Sequence, residues 1–502
     1  MIIRLKHLLV LIVIATSLVS CFKDDTTLGV GAISEISIDS TSIEEVYNIA
    51  QFDTLIIKPR ITQTNREKEV TYSWEIELEE YSDSTTFVYV GKKLGTFHCR
   101  LIVGNEDGKS FFPFILHVNT AYEEGLTVIS KDPNGKSMLS FMLTPSDGSA
   151  PIGFMEGDQF SRNNDETFAD NPADMVQISG SLIIACQGSD ETSPGTIYCL
   201  NEKTFVLENI VTDPEFTDFK PTFLGIPAID YPGKSYPIIC EDGNTYEFST
   251  TEGVLSKPIK LPYTYAQTAI IHTLSGGYYD LLCWDNELNA LCYVYAGWGP
   301  YYSGKEYHTN RDSIIADNSK NIFNGLNICK MVLVEQTKDV ITTPKALVIT
   351  KDKMSGLDRY QKTLISVNLW ETVNGETQLI DGGGPSVCGF GSLSLTETAP
   401  CIASKTYSSM LFADGNKVRC WNYSSSDMIT NAKTLQTIGS ESAIITSMSL
   451  STDHKRTYIA FYEPEQEGLN GCVWIIDTDK GTILEKYNNV CYEPVKIIYK
   501  KK

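Results

Sequence analysis

Short runs in which hydrophobic and polar residues alternate occupy much of the chain. Residues 72–78 and 97–103 each carry an apolar side chain at every second position, and residues 112–118 repeat the pattern. Alternation of this period is typical of β-strands with one buried face, and Asp-Gly at 107–108 is a hairpin signal. Several such strands, with a tryptophan in a middle one, predict a small β-sandwich over residues 34–120.

From about residue 125 the pattern changes to pairs of apolar strands joined by polar turns. Leu281–Trp284 is followed by Leu291–Tyr295, and Tyr458–Phe461 is followed by Gly471–Thr478. No sustained helical stripe occurs, and the units recur about every 40–60 residues, as in radial repeat folds. One such sheet cannot bury both faces alone, so neighbouring sheets are expected to stack around an axis.

The fold class predicted is therefore all-β: a sandwich followed by a β-propeller over residues 125–498. We count seven candidate blades, the first at Leu126–Leu143, and six or eight blades are the alternatives. A parallel β-helix is the competing repeat fold, but it would need shorter and stricter coils than the sequence contains.

The N-terminal sequence predicts a signal peptide. Arg4 and Lys6 precede the apolar run Leu8–Val19, and a small residue, Ser20, stands before Cys21. A basic start, an apolar middle and a small residue at the cut are the features of such peptides. The run is shorter than the roughly 20 residues that span a bilayer. Residues 1–20 are thus assigned to the signal and the polar residues 21–33 to a tether.

Charge excludes one class of partner. Residues 1–20 hold two basic and no acidic residues, so 39 basic and 63 acidic residues remain, a net charge of −24. A surface of that sign repels phosphate backbones, and we expect no nucleic-acid partner.

The 13 cysteines have two interpretations. No Cys-x-x-Cys pair occurs, so zinc spacing is absent. Cys283 and Cys292 flank a turn symmetrically, and Cys186 with Cys199 could likewise form a cross-strand disulfide. We favour the other interpretation, in which cysteine is a small core hydrophobe, because a strand pair restricts disulfide geometry tightly.

Catalytic signatures are missing, and we expect a protein that is not an enzyme. Gly-x-Ser-x-Gly does not occur. His98 and His117 fall in the predicted sandwich and are assigned structural roles, and His454 falls in a blade turn and is expected to be solvated. Many carboxylate pairs could serve glycoside hydrolysis, but no spacing singles one out.

No cofactor is expected either. The acidic segment 158–174 carries Asn163, Asn164, Asp165, Asp170 and Asn171, whose oxygens suit calcium. The EF-hand spacing is absent, so an acidic loop is the preferred interpretation and a structural calcium ion the alternative.

One aromatic segment is a candidate ligand-binding surface. Trp298, Tyr301, Tyr302 and Tyr307 stand among glycines and a proline after a predicted strand, which predicts an exposed loop. Flat aromatic rings stack on sugar rings or hold peptide side chains at low entropic cost. The alternative is that these residues cap the apolar end of a blade.

The sequence around the cut site resembles a known processing signal. Leu18-Val19-Ser20-Cys21 resembles a bacterial lipoprotein lipobox, which implies acylation of Cys21. Lys23, Asp24 and Asp25 resemble the surface-export signal of lipoproteins in Bacteroidota, which implies a lipid anchor in the outer membrane facing the cell exterior. The alternatives are an ordinary secretory signal with a chance cysteine and a merely solvated linker.

Two further segments carry resemblances. The YSWEI and LGTFHCRLIVGNEDG segments, at 72–76 and 94–108, resemble PKD-like immunoglobulin-type modules. The last repeat, with Ser451 and Asp453 before Tyr458–Phe461, resembles the blades of surface-layer-like and WD40-like propellers. Together with the lipobox, this architecture resembles PKD-like family lipoproteins of Bacteroidota.

That resemblance implies a function. Such proteins accompany SusC/SusD-type outer-membrane importers, so it implies a non-catalytic accessory subunit that captures an oligosaccharide or a peptide for nutrient uptake. Two alternatives stay open: a surface glycan-degrading propeller hydrolase or lyase, and a structural docking platform within the importer complex. Propellers host both enzymes and binding proteins, so the fold alone does not decide.

Overall fold

β-Strands make up nearly all the regular structure in a computed structural model of the chain. The structure describes residues 33–501 except 65–66, 121, 145–152, 179, 191, 213–218, 227–234, 257–264, 275–277, 296–297, 304–307, 310, 336–344, 367–371, 374–375, 378–379 and 382–383. The chain divides into two units, Met1–Thr120 (unit 1) and Ala121–Lys502 (unit 2). The all-β prediction is confirmed.

Unit 1 consists of short strands arranged in three sheets. Its strands are β1 (Ile36–Ile38), β2 (Val46–Ala50), β3 (Thr54–Ile57), β4 (Ile61–Gln63), β5 (Thr71–Ile76), β6 (Glu79–Ser82), β7 (Phe87–Val90), β8 (Gly95–Asn105) and β9 (Gly108–Asn119). The largest sheet has the order β2-β9-β8-β5-β6, and β3-β7 and β1-β4 form two-stranded sheets. All pairs are antiparallel except β2-β9, which is parallel.

The core of unit 1 lies between its five-stranded sheet and the β3-β7 pair. Trp74 of β5 is fully buried, and its ring centroid lies 5.0 Å from that of Phe87 on β7. Its indole N–H donates to the backbone oxygen of Ser84 at 2.8 Å, so the polar atom of this large side chain is satisfied. The place of Trp74 on a middle strand of the sequence pattern predicts a core position, and the structure confirms it.

Unit 2 continues the strand series to the end of the chain. Its strands are β10 (Gly125–Lys131), β11 (Ser137–Leu143), β12 (Pro172–Ile178), β13 (Ser181–Cys186), β14 (Thr196–Asn201), β15 (Leu207–Val211), β16 (Pro221–Leu224), β17 (Ser235–Cys240), β18 (Thr245–Ser249), β19 (Val254–Leu255), β20 (Tyr265–Leu274), β21 (Tyr278–Asp285), β22 (Ala290–Tyr295), β23 (Trp298–Ser303), β24 (His308–Thr309), β25 (Asn327–Glu335), β26 (Lys345–Met354), β27 (Leu357–Ser366), β28 (Thr372–Val373), β29 (Glu376–Thr377), β30 (Ile380–Asp381), β31 (Ser386–Phe390), β32 (Cys401–Ser404), β33 (Ser409–Asp414), β34 (Lys417–Asn422), β35 (Lys433–Thr437), β36 (Ile444–Leu450), β37 (Arg456–Tyr462), β38 (Gly471–Asp477), β39 (Ile483–Cys491) and β40 (Glu493–Lys500).

Helices are few and short in the described part of the chain. They are α1 (Gln159–Asn163), α2 (Arg311–Ala316) and three 3₁₀ turns at Ser40–Ser42, Asn318–Lys320 and Ile429–Asn431. None of the helices in the described ranges has the length and apolarity needed to cross a membrane.

Within the described residues, unit 2 contains a series of antiparallel sheets that follow one another along the chain. Sheet I is β11-β10-β40, sheet II is β12 to β15, sheet III is β16 to β19, and sheet IV is β20 to β24. Sheet V is β25-β26-β27 with β30 and β31 both on β27, sheet VI is β32 to β35, and sheet VII is β36 to β39. The pair β28-β29 stands apart from this series.

One edge strand from each of these sheets lies in a closed ring. In order around it, β40, β12, β16, β20, β25, β32 and β36 each contact the next, and β36 contacts β40. We call these strands the inner ring. Shared clusters of buried side chains also join sheet II to III, IV to V, V to VI, VI to VII, and VII to I. Sheets stacked face to face in cyclic order are the arrangement of a β-propeller.

Stacking on both faces explains why many central strands read as continuous apolar runs. Strands β13, β14 and β38 are buried at all but one position, whereas β39, at an outer edge, is half-buried or exposed at all but its last position. Sheet I shows one feature that the sequence did not predict. Its β10-β11 hairpin is completed by β40, so the last strand of the chain closes the ring.

Candidate functional site

The aromatic segment expected to be a loop is largely a strand. Trp298–Ser303 forms β23, which pairs antiparallel with β22 in sheet IV. In this register Tyr301 stands opposite Tyr293, and Trp298 stands opposite Tyr295. The loop prediction is wrong for residues 298–303 because aromatic residues favour pleated strands, and this preference outweighs the local glycine and proline.

The pairing of β23 with β22 places five aromatic residues on two adjacent strands, namely Tyr293, Tyr295, Trp298, Tyr301 and Tyr302. The structure describes the backbone of Trp298, Tyr301 and Tyr302, and their side chains lie outside the described residues, as does the whole of Tyr307. Their role in ligand binding therefore stays a prediction. Cys21, Lys23, Asp24 and Asp25 also lie outside the described residues, so lipidation and surface export stay predictions as well.

A buried carboxylate connects three successive strands of the inner ring. Asp174 on β12 lies 2.8 Å from the ammonium of Lys496 on β40, and it accepts the backbone N–H of Leu224 on β16 at 3.0 Å. The Asp174 side chain is 8% exposed and that of Lys496 is 41% exposed. A buried carboxylate is tolerated where it forms an ion pair and also accepts a hydrogen bond from an N–H group.

A second lysine with a protein partner lies on another strand of the inner ring. Lys330 on β25 donates to the backbone oxygen of Glu397. Burial lowers the pKa of Lys330, and the charge of Lys496 acts in the same direction. Strands β25 and β40 are three places apart around the inner ring. Lys330 therefore has a protein partner in the segment before β32, and Lys496 has one in Asp174 of β12.

A serine and a histidine approach one another between sheets VI and VII. Ser404 Oγ lies 3.1 Å from His454 Nδ1, within hydrogen-bonding distance. His454 is half-buried and burial lowers its pKa, so the expectation of a solvated side chain was wrong. The neighbouring carboxylate of Asp453 accepts the hydroxyl of Ser451 and the N–H of Lys455. Ser404 is only 1% exposed, which denies a substrate access to its hydroxyl.

The segment considered for calcium is engaged in contacts within the protein. Asp170 forms an ion pair with Lys136 at 2.8 Å and accepts the hydroxyl of Ser189. Asn164 accepts the N–H of Leu207 through its side-chain oxygen. Among the residues that the structure describes, no group of three or more His, Cys, Asp or Glu side chains is placed to hold a metal ion. An ammonium beside Asp170 also disfavours a second cation there.

The cysteines of the described chain are thiols, and most are buried. Ten of the twelve are buried, and Cys401 and Cys420 are half-buried. Burial raises the pKa of the Cys186 and Cys199 thiols to about 12, so both stay protonated at neutral pH. The preferred interpretation, cysteine as a small core hydrophobe, is confirmed for these positions.

Only one of the two cysteine pairs considered for disulfides is aligned. Cys283 stands directly opposite Cys292, with their sulfur atoms 3.4 Å apart. Cys186 instead stands opposite Thr196, and Cys199 opposite Ile183, so the idea that these two face each other was wrong. The loop between β13 and β14 does not place its flanking cysteines at matching register positions.

Neither a protein-family model nor a curated protein matches the chain. Among solved structures, it is similar to a quinonprotein alcohol dehydrogenase-like protein from Bacteroides thetaiotaomicron, at 14% identity and a TM-score of 0.48, over 93% of this chain and 99% of that one. It is also similar to a β-propeller domain from Myceliophteria thermophila, at 9% identity and a TM-score of 0.38, over 64% of this chain and 87% of that one. The fold assignment therefore rests on the sheet order of unit 2.

Proposed function

We propose that this chain is a lipid-anchored protein of the outer-membrane surface that binds a ligand without transforming it. In this proposal Cys21 carries the lipid, residues 34–120 form a PKD-like immunoglobulin-type spacer, and residues 125–498 form a seven-bladed propeller. The ligand is an oligosaccharide or a peptide, and the protein passes it to a SusC/SusD-type importer.

The binding proposal is based on the aromatic residues of β23. Strand β23 adds three aromatic residues to sheet IV, and its register sets Trp298 and Tyr301 opposite two tyrosines of β22. Aromatic residues grouped on adjacent strands suit the faces of sugar rings and apolar peptide side chains, because both present flat or compact apolar surface. The negative net charge of the chain favours neutral or cationic ligands over anionic ones.

The seven-bladed propeller is supported by the closed inner ring and by the face-to-face packing of consecutive sheets. The sandwich assignment is supported by the shared core of the two sheets that enclose Trp74. The burial of Ser404 favours a binding protein over a serine-dependent hydrolase, since the Ser404–His454 contact is closed to a substrate.

Binding is tested with a panel of neutral oligosaccharides and peptides, by calorimetry and by chromatography of the products. We expect retention of one ligand class without product release, and at least a tenfold loss of affinity in Trp298→Ala and Tyr301→Ala. Phe390→Ala, which removes a 43% exposed aromatic from sheet V, is the control and should bind as the wild type does. Product release would reject the non-catalytic proposal in favour of a hydrolase or lyase.

The anchor and the partner need separate measurements. Cys21→Ala should release the protein from membranes, and alanine at 23, 24 and 25 should leave it lipidated but protected from protease added to whole cells. If ligand binding is absent but the protein co-purifies with a SusC/SusD-type importer, the docking-platform alternative replaces the binding proposal. If Cys21→Ala remains in the membrane fraction, the lipoprotein assignment fails.

A further inference from the structure

Strands β21 and β22 of sheet IV place two cysteines directly opposite each other. Cys283 and Cys292 are register partners, and their sulfur atoms lie 3.4 Å apart. Both side chains are fully buried. The contact is therefore fixed by the strand register and by the packing around it, and it does not depend on a mobile surface residue.

The geometry of this pair is close to that of a disulfide. Opposite residues on antiparallel strands hold their Cβ atoms about 4.5–5.5 Å apart, and disulfides have Cβ separations of about 3.5–4.5 Å. An S–S bond is about 2.05 Å long, so the two sulfur atoms need to approach by only about 1.4 Å. Rotation about the two Cα–Cβ bonds with a small shift of the strands supplies that movement.

We propose that Cys283 and Cys292 form a cross-strand disulfide by exchange with a small-molecule disulfide such as oxidised glutathione, and that the exchange takes place as the β21-β22 hairpin forms, before packing buries the two thiols. One cysteine, as thiolate, attacks a glutathione sulfur, which breaks the glutathione S–S bond and releases one glutathione thiolate. The second cysteine then attacks the mixed disulfide and releases the other glutathione thiolate. The two cysteines lose two protons and two electrons, and one oxidised glutathione becomes two reduced ones.

Oxidation would act on the sheet that bears the aromatic strand. The register partner of Cys292 on its other side is Tyr302 of β23, so the bond would lie one strand away from that residue. A covalent link between β21 and β22 prevents slippage of the pairing on which β23 is built. This proposal does not depend on ligand binding by β23, and its chemistry is tested without any ligand.

The test counts thiols and maps the bond in the full-length protein. The reduced protein is unfolded, refolded with oxidised glutathione at pH 8 so that the oxidant meets the thiols before they are buried, then unfolded again in an alkylating reagent and analysed by mass spectrometry. We expect two fewer alkylated cysteines than in a dithiothreitol-treated sample. Cleavage at Asp285 or Glu287, which lie between the two cysteines, should yield two peptides that separate only after reduction.

Matched variants identify the pair. Cys283→Ser and Cys292→Ser should each abolish the loss of two thiols, whereas Cys186→Ser, at an equally buried but unaligned position, should retain it. If a variant fails to fold, the peptide map of the wild-type protein decides alone. An unchanged thiol count after oxidation, or a bond that joins other cysteines, would overturn the proposal.

Discussion

The carboxylate of Asp174 and the ammonium of Lys496 lie 2.8 Å apart and join the last strand of the chain to the first strand of sheet II. These residues are separated by most of the length of unit 2, so the ion pair forms only when the ring of sheets is closed. Together with Leu224, whose N–H the same carboxylate accepts, the pair connects β40, β12 and β16. Closure of the ring thus has a polar component in addition to its buried clusters.

Asp174→Asn should destabilise unit 2 by about 2 kcal/mol, because it removes one partner of a largely desolvated pair and leaves an ammonium without its counter-charge. The solvent-exposed part of Lys496 keeps the loss below that of a fully buried pair. Thermal and urea unfolding measure the change. Glu493→Gln is the control, since its 3.5 Å pair with Lys131 also involves β40 but is more exposed, and it should cost less than about 0.5 kcal/mol. Equal losses in both variants would contradict a special role for Asp174.

Part of this architecture can be predicted from the sequence, because it depends on residues that are close together in the chain. The runs around Trp74 and Tyr458–Phe461 predict strands because periodicity and β-propensity depend on neighbours in the chain. The same holds for the Cys283 and Cys292 register, because a short symmetric turn fixes which residues face each other.

Other features depend on contacts between distant segments. The partnership of Lys496 with Asp174 and the addition of β40 to sheet I arise from ring closure, which no local pattern encodes. His454 looked solvated in its polar turn, but it lies against Ser404 of the preceding sheet. The glycines and proline of the aromatic segment are turn residues and favour a loop, whereas the strand pairing of β23 depends on β22.

Lys500 should make the stability of unit 2 depend on pH in the alkaline range. Its side chain is fully buried, its ammonium donates to the backbone oxygen of Glu123 at 2.8 Å, and burial lowers its pKa from 10.5 to about 8. The folded state therefore binds this proton more weakly than the unfolded chain does. The contribution of Lys500 is most favourable above pH 10.5, declines as the pH falls from 10.5 to 8, and is constant below that.

This pH dependence is measured as the difference between the wild type and Lys500→Met, which cancels the titration of tyrosines. The wild type should gain up to about 3 kcal/mol relative to the variant between pH 8 and pH 10.5. Lys480→Met, which removes an exposed lysine, should leave the wild-type profile unchanged. A difference between wild type and Lys500→Met that stays flat over this range would show that Lys500 titrates normally.

Gly195→Ala should disrupt the junction between sheets II and III. A Cβ added at Gly195 would lie 1.7 Å from the backbone oxygen of Phe219, and a backbone atom cannot rotate away. Relief requires the two segments to separate, which we expect to cost about 2–4 kcal/mol. Gly108→Ala is the matched control, because nothing lies within 4 Å of the corresponding Cβ. Chemical unfolding compares the two, and a Gly195→Ala protein as stable as Gly108→Ala would contradict the close approach.

Trp74→Ala should destabilise unit 1 by about 3–5 kcal/mol, because it removes a fully buried aromatic side chain and leaves a cavity against Phe87 and Phe114. It also leaves the backbone oxygen of Ser84 without the indole donor. Hydrogen exchange, followed strand by strand, should show faster exchange in β5 and β8. Phe111→Ala, which truncates a 55% exposed aromatic on β9, should change exchange little. Unchanged protection of β5 and β8 in Trp74→Ala would mean that the core of unit 1 does not depend on this residue.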